Sequence, residues 1–260
     1  MTAALVSSAA CGGGSTPTSP SGSAPIPAAQ ACDAVGTLTS TLGASLAILA
    51  GAECSMDRGP VVKLNMHDAF SSLGTCSGTI IGPRAVLTAA HCLDGGVETV
   101  RVWLGVGPEF VAASFFTHPS FNTSTLQFDA GIVLMREDLP RPPASILTSR
   151  TGRPGETAII AGFGRDEASV TTQLRAGSTT VSAANENRLE TLYALPASAI
   201  CSGDSGGPIF LSEGGRWVVA GISSATTESS CNTGTNYYQS VVRDSVRDFI
   251  LQHVPAVVRR

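Results

Sequence analysis

The chain has 260 residues, 43% hydrophobic and 14% charged, with 28 Gly and 15 Pro. That is ample for a large core, poor in charge against the roughly 25% usual for soluble domains, and rich in turn formers. The 16 basic and 20 acidic residues leave a net charge of -4, and since Lys63 is the single lysine the other 15 basic residues are Arg, scattered without a cluster, which excludes an electrostatic nucleic-acid surface or a polybasic membrane patch.

No run reaches the roughly 18 uninterrupted apolar residues of a spanning helix; the nearest, 44–52, is broken by Ser45 and Gly51. Residues 1–10 are small and apolar, Cys11 follows, and 14 of the 18 residues from 12 to 29 are Gly, Ser, Thr or Pro. Such a tract cannot bury enough apolar surface to offset its ordering entropy. Residues 1–31 therefore read as a leader and flexible stalk. The stretch resembles a bacterial lipoprotein leader, which makes Cys11 a lipidation candidate; an ordinary secretory leader or a free leader thiol is the alternative.

The other six cysteines, at 32, 54, 76, 92, 201 and 231, contain no CxxC pair and accompany only four His. Zinc is not expected and no metal site is assigned, calcium binding being left open since no acidic cluster of ligand spacing stands out; an oxidised framework in a secreted or cell-envelope protein is expected, although six cysteines allow 15 pairings.

Beyond the stalk, short runs rich in Val, Ile, Leu and Thr recur between turn signals at 61–64, 78–81, 85–89, 97–104, 130–135, 157–161, 178–182, 208–211, 217–222 and 237–242. No long amphipathic segment separates them, which points to an all-β barrel or sandwich. Prolines 140, 142, 143 and 154 mark a connector between two halves. Only the chain end reads as a helix, with Val242, Val246, Phe249, Ile250 and Val254 on one face.

The segment Cys201-Ser-Gly-Asp-Ser-Gly-Gly-Pro208 puts a hydroxyl among glycines, which leave a substrate carbonyl free to approach. Ser205 is the candidate nucleophile. A serine hydroxyl needs an adjacent base, and Val86-Leu-Thr-Ala-Ala-His-Cys92 supplies His91. A carboxylate that holds the imidazole tautomer completes the set, and Asp129 stands at the head of the apolar run 130–135.

These motifs, with the stretch from His118 to Asp129, resemble the trypsin-like (chymotrypsin-fold) serine proteases, in that family's His, Asp, Ser order and at separations of 38 and 76 residues. The likeness covers about 48–254. It implies two antiparallel six-stranded β-barrels, about 48–140 and 155–240, a C-terminal α-helix at about 241–254, and a bacterial secreted or lipoprotein-type serine endopeptidase. By that resemblance Ser205 attacks the scissile carbonyl, His91 acts as base and then acid, Asp129 orients His91, and the amides of Gly203 and Ser205 form the oxyanion hole. Substrates are then proteins or peptides, with a protein inhibitor as a further partner and no cofactor.

The family also pairs the carboxylate before the nucleophile, here Asp204, with an α-amine freed by cleavage. Ile48-Leu-Ala-Gly51 stands 43 residues before His91, a partial match that makes 32–47 a propeptide and Ile48 with Asp204 the activation pair. The alternative is that 48–51 is simply a first strand. The resemblance implies the bonds Cys76–Cys92 and Cys201–Cys231, leaving Cys32 and Cys54 for each other. Ala199 stands where trypsin carries its Asp, followed by Ile200, so cleavage after Lys or Arg is not expected. Ser224-Ala-Thr226 replaces the commoner Ser-Trp-Gly, and a pocket for a small or medium apolar side chain follows.

Two rivals remain. Gly203-Asp-Ser-Gly-Gly207 also fits the α/β-hydrolase elbow, with Asp244 or Asp248 and His253 behind it, but that fold needs a helix directly after the nucleophile and 208–211 reads as a strand. The other is a surface-displayed protease homologue that binds without catalysis. His67, His118 and His253 read as loop or helix-face residues, Trp103 and Trp217 as barrel core, and Gly162-Phe-Gly164 as a structural turn.

Overall fold

Glycine- and proline-cut runs of β-branched residues cannot bury both faces singly, and here they close on themselves. The computed structural model describes residues 26–36, 48, 50–165 and 172–260. A first helix, α1 (Ala28–Ala34), and a two-residue strand, β1 (Ala52–Glu53), precede the barrels.

The first barrel comprises β2 (Val61–His67), β3 (Ser72–Gly82), β4 (Ala85–Thr88), β5 (Thr99–Trp103), β6 (Phe110–Thr117) and β7 (Gly131–Met135), closed in the order β2-β3-β4-β7-β6-β5. The second comprises β8 (Thr157–Gly162), β9 (Arg175–Ala184), β10 (Arg188–Leu192), β11 (Pro208–Glu213), β12 (Arg216–Thr226) and β13 (Thr235–Ser240). Its strands run β9-β10-β13-β12-β11-β8, β8 pairs back onto β9, and β1 adds outside β9. Both are antiparallel and six-stranded, as expected.

Leu64, Ile80, Val86, Val102 and Ile132 fill the first barrel, and Ile160, Val181, Leu189, Ile209 and Tyr238 the second. Each such aliphatic side chain contributes about 1.5–3 kcal/mol on burial. The C-terminal helix, α2 (Asp244–His253), buries Val246, Phe249 and Ile250. The connector is tied down by Arg141, whose guanidinium donates to the carbonyls of Gly59 (3.3 Å), Met56 (2.5 Å) and Leu104 (2.9 Å).

Three strands, β1, β6 and β10, escaped the sequence pattern. In β10 only Leu189 and Thr191 point inward, between Arg188, Glu190 and Leu192, so period-2 alternation exists without an apolar run. The expectation of a single terminal helix is corrected by α1, whose first residues overlap the end of the expected stalk. Ala31 and Cys32 are fully buried, Cys32 is bonded to Cys54, and the Ser178 hydroxyl donates to Ile26 O (2.8 Å). A crosslink and a packing surface on β9 order a segment whose composition alone would not. Cys11, the leader and the proposed cut after Ala47 lie outside the described residues.

Candidate active site

β4 ends at Thr88, and beyond Ala89 the chain leaves the barrel wall in a single 3-10 turn, Ala90–Cys92, that carries His91. Cys92 is bonded to Cys76 of β3, which pins the turn. Asp129, two residues ahead of β7, is completely buried. Such a carboxylate must have its oxygens satisfied, and three donors do so. Oδ1 accepts the His91 backbone N–H (2.9 Å), while Oδ2 accepts His91 Nδ1–H (2.8 Å) and the Ser224 hydroxyl (2.5 Å). The Asp129 N–H itself donates to Gln239 Oε1 (3.2 Å). With its Nδ1 proton spent on Asp129, a neutral His91 offers a lone pair on Nε2.

Residues 201–207 form the loop ahead of β11. The Cys201–Cys231 disulfide ties it to the segment entering β13. Asp204 is buried in its middle. Its Oδ1 accepts the Gly164 N–H (2.8 Å) and its Oδ2 the Cys201 N–H (2.9 Å). Desolvation pushes the Asp204 carboxyl up from 3.8 to about 6, against those two N–H groups and the charge of Arg175, which pull it down. The carboxylate occupies the space that a Cβ would need at both Gly162 and Gly164. The Gly-Phe-Gly turn is therefore its cradle.

The loop leans on the first barrel. Ser205 O accepts the Ser77 N–H (2.8 Å), and a Cβ at Gly206 would overlap Thr88 Oγ1 and stand 2.9 Å from Ala89 N. Ser205 thus lies on the same wall as the His91 turn. No hydrogen bond joins Ser205 Oγ to His91 Nε2 in this structure, and such contacts commonly tighten only when substrate arrives.

Of the residues expected to shape specificity, Ala199 is fully buried against Cys231, with Tyr193 and Cys201 alongside. Ile200 packs into the second-barrel core with Ile48, Leu147 and Tyr238. Ser224 is engaged with Asp129. Thr226 lies opposite Asn236 on β13. A cleft of about 480 Å³ opens beside Ser224 and Ala225, walled by Leu126, Asn187, Arg188 and Tyr237. Ile48 is buried at φ 33. Cys76, His91 and Cys92 form a close group, but both sulfurs belong to one disulfide and neither is a thiolate that could hold a metal.

Four residues went unread in the sequence. Gln239 anchors the Asp129 backbone. Buried Asn236 donates to Thr191 Oγ1 (3.3 Å), which also meets the Tyr238 hydroxyl (3.2 Å). None lies in a recognisable motif; their one signal is polarity inside an otherwise strand-like run.

The trypsin family model matches residues 48–250, and the chain belongs to the trypsin family. Among its relatives, Trypsin epsilon of Drosophila erecta is 28% identical over 69% of this chain and 79% of its own length. Chymotrypsin-C of Bos taurus is 29% identical over 61% and 70%. Inactive CLIP domain-containing serine protease A3 of Aedes aegypti is 26% identical over 56% of this chain and 39% of its own length. The matched region spans only 17% of Transmembrane protease serine 9 of Rattus norvegicus. These are animal proteins, and the expected bacterial type gains no support from them.

Proposed function

We propose that the chain is a serine endopeptidase working through an acyl-enzyme. His91 Nε2 takes the Ser205 hydroxyl proton as Oγ adds to the scissile carbonyl. The oxyanion is held by the N–H groups of Gly203 and Ser205, and the imidazolium formed is stabilised by Asp129. His91 then protonates the departing amine, and a water deprotonated by His91 releases the acid. The observation that supports this is the three-donor clamp on Asp129, which takes up His91 Nδ1–H and leaves the Nε2 lone pair free to act as base. The step requires no cofactor.

In the same reading Ala199 floors a pocket for a small or medium apolar side chain, with Ile200, Ser224 and Thr226 around it. Residues 32–47 are a propeptide, residues 48–260 the protease domain, and cleavage before Ile48 supplies the amine that pairs with Asp204. The six framework cysteines and the leader suit export, with a lipid anchor at Cys11.

The test is labelling by a fluorophosphonate, on the chain as made and after processing at Ile48. Wild type should be labelled and Ser205→Ala should not; labelling that persists in the variant removes Ser205 from the mechanism. The relative named inactive favours a second reading, a silent binding module, and an unlabelled wild type would establish it.

A further inference from the structure

Ser77, on β3, is completely buried and grips the nucleophile loop twice. Its hydroxyl donates to Gly203 O (2.8 Å) and its backbone N–H donates to Ser205 O (2.8 Å). The two residues held by their carbonyls are the same two whose N–H groups form the proposed oxyanion hole. The hydroxyl also accepts the Phe163 N–H (2.9 Å), and the Ser77 carbonyl accepts the Thr88 hydroxyl (2.9 Å). One side chain therefore joins the first barrel, the turn that cradles Asp204, and the loop of Ser205.

The backbone at Gly203 makes this grip consequential. Gly203 sits at φ 96, in the region glycine visits at little cost, and glycine is the residue freest to leave any one conformation. No side chain of its own restrains it. Fixing its carbonyl restrains the peptide after it, and so the torsions that aim its N–H. Donors contribute to catalysis to the extent that they are aligned before charge develops.

We propose that Ser77 Oγ is a positioning residue for the oxyanion hole: it pre-aligns the Gly203 and Ser205 amides and so raises turnover without touching substrate. This rests on the endopeptidase reading above.

The experiment uses the full-length processed protein, with peptide hydrolysis rates normalised to active sites titrated by a burst-producing ester. Ser77→Ala should lower kcat about tenfold, the scale of one well-formed hydrogen bond, with KM within about twofold. Affinity for a peptidyl trifluoromethyl ketone, which forms an oxyanion on Ser205, should fall by a similar factor, whereas affinity for the cleaved product peptide should not. A merely structural residue would lower the melting temperature and leave the rate per titrated site unchanged, and that result overturns the proposal. If Ser77→Ala does not fold, Ser77→Thr against Ser77→Val isolates the oxygen at equal volume. Thr faster per site than Val supports the assignment, and equal rates overturn it. A wild type that fails to react with fluorophosphonate refutes the endopeptidase reading instead, which keeps the two failures distinct.

Discussion

Gly206 is pressed so closely against Thr88 that the direction its missing side chain would take is filled by the Thr88 hydroxyl, with Ser77 O and Ala89 N also within contact distance. Thr88 ends the strand that leads into the His91 turn, and Gly206 follows Ser205. This contact brings the two halves of the site together. Gly206 also holds φ 80, so Gly206→Ala meets both strain and a clash. We expect a loss of about 2–4 kcal/mol of stability, read by thermal or denaturant unfolding, and a larger loss of labelling at Ser205.

Asp129→Asn keeps the size of the side chain but places an amide where Oδ2 or Oδ1 accepts protons from His91. The tautomer that leaves Nε2 basic is then no longer enforced. Turnover should fall about 10⁴-fold, the magnitude this change has in the family's triad, with modest effect on substrate binding. Ser224→Ala removes one of three donors and should cost about tenfold. Near-normal kcat in Asp129→Asn would take the carboxylate out of the mechanism.

Asp204 sets a pH dependence. Below its ordinary value of 3.8 the carboxyl is protonated whether the chain is folded or not, and burial exacts no charge penalty. As pH rises toward about 6, the unfolded chain releases the proton first, so stability falls across that window and stays lowered above it. The scale is about 3 kcal/mol. A new α-amine at Ile48, paired with this carboxylate, should reverse the loss. Processed and unprocessed protein should therefore melt closer together near pH 4 than at pH 7. An equal difference at both values would separate Ile48 from Asp204.

Cys32 and Cys54 flank the proposed cut and are bonded to each other. After cleavage before Ile48 the propeptide should remain attached: one band of undiminished mass on a non-reducing gel, and a shortened chain with a freed fragment after reduction. Loss of the fragment without reductant would rule the tether out.

In the proposed pocket Ala199, buried beside the Cys201–Cys231 disulfide, offers no carboxylate to an incoming guanidinium, and an unpaired buried cation is strongly disfavoured. Peptides ending in Ala or Val at the scissile bond should have kcat/KM at least about tenfold above those ending in Arg. The reverse order would show that another group supplies the negative charge.

His91, Asp129 and Ser205 could be singled out as candidates in the sequence because each sits in a short motif whose chemistry is local: a hydroxyl among glycines, a histidine beside a cysteine, a carboxylate leading an apolar strand. Barrel strands with continuous apolar runs were legible for the same reason. The strands β6 and β10 were not, since their burial depends on what each pairs with, and α1 was not, since a crosslink and the surface of β9 order it. The donors that complete Asp129, the glycine cradle of Asp204 and the double grip of Ser77 join residues as far apart in the chain as Ser77 and Ser205. Barrel closure and strand register decide which of these atoms meet, and a pattern read along the chain carries neither.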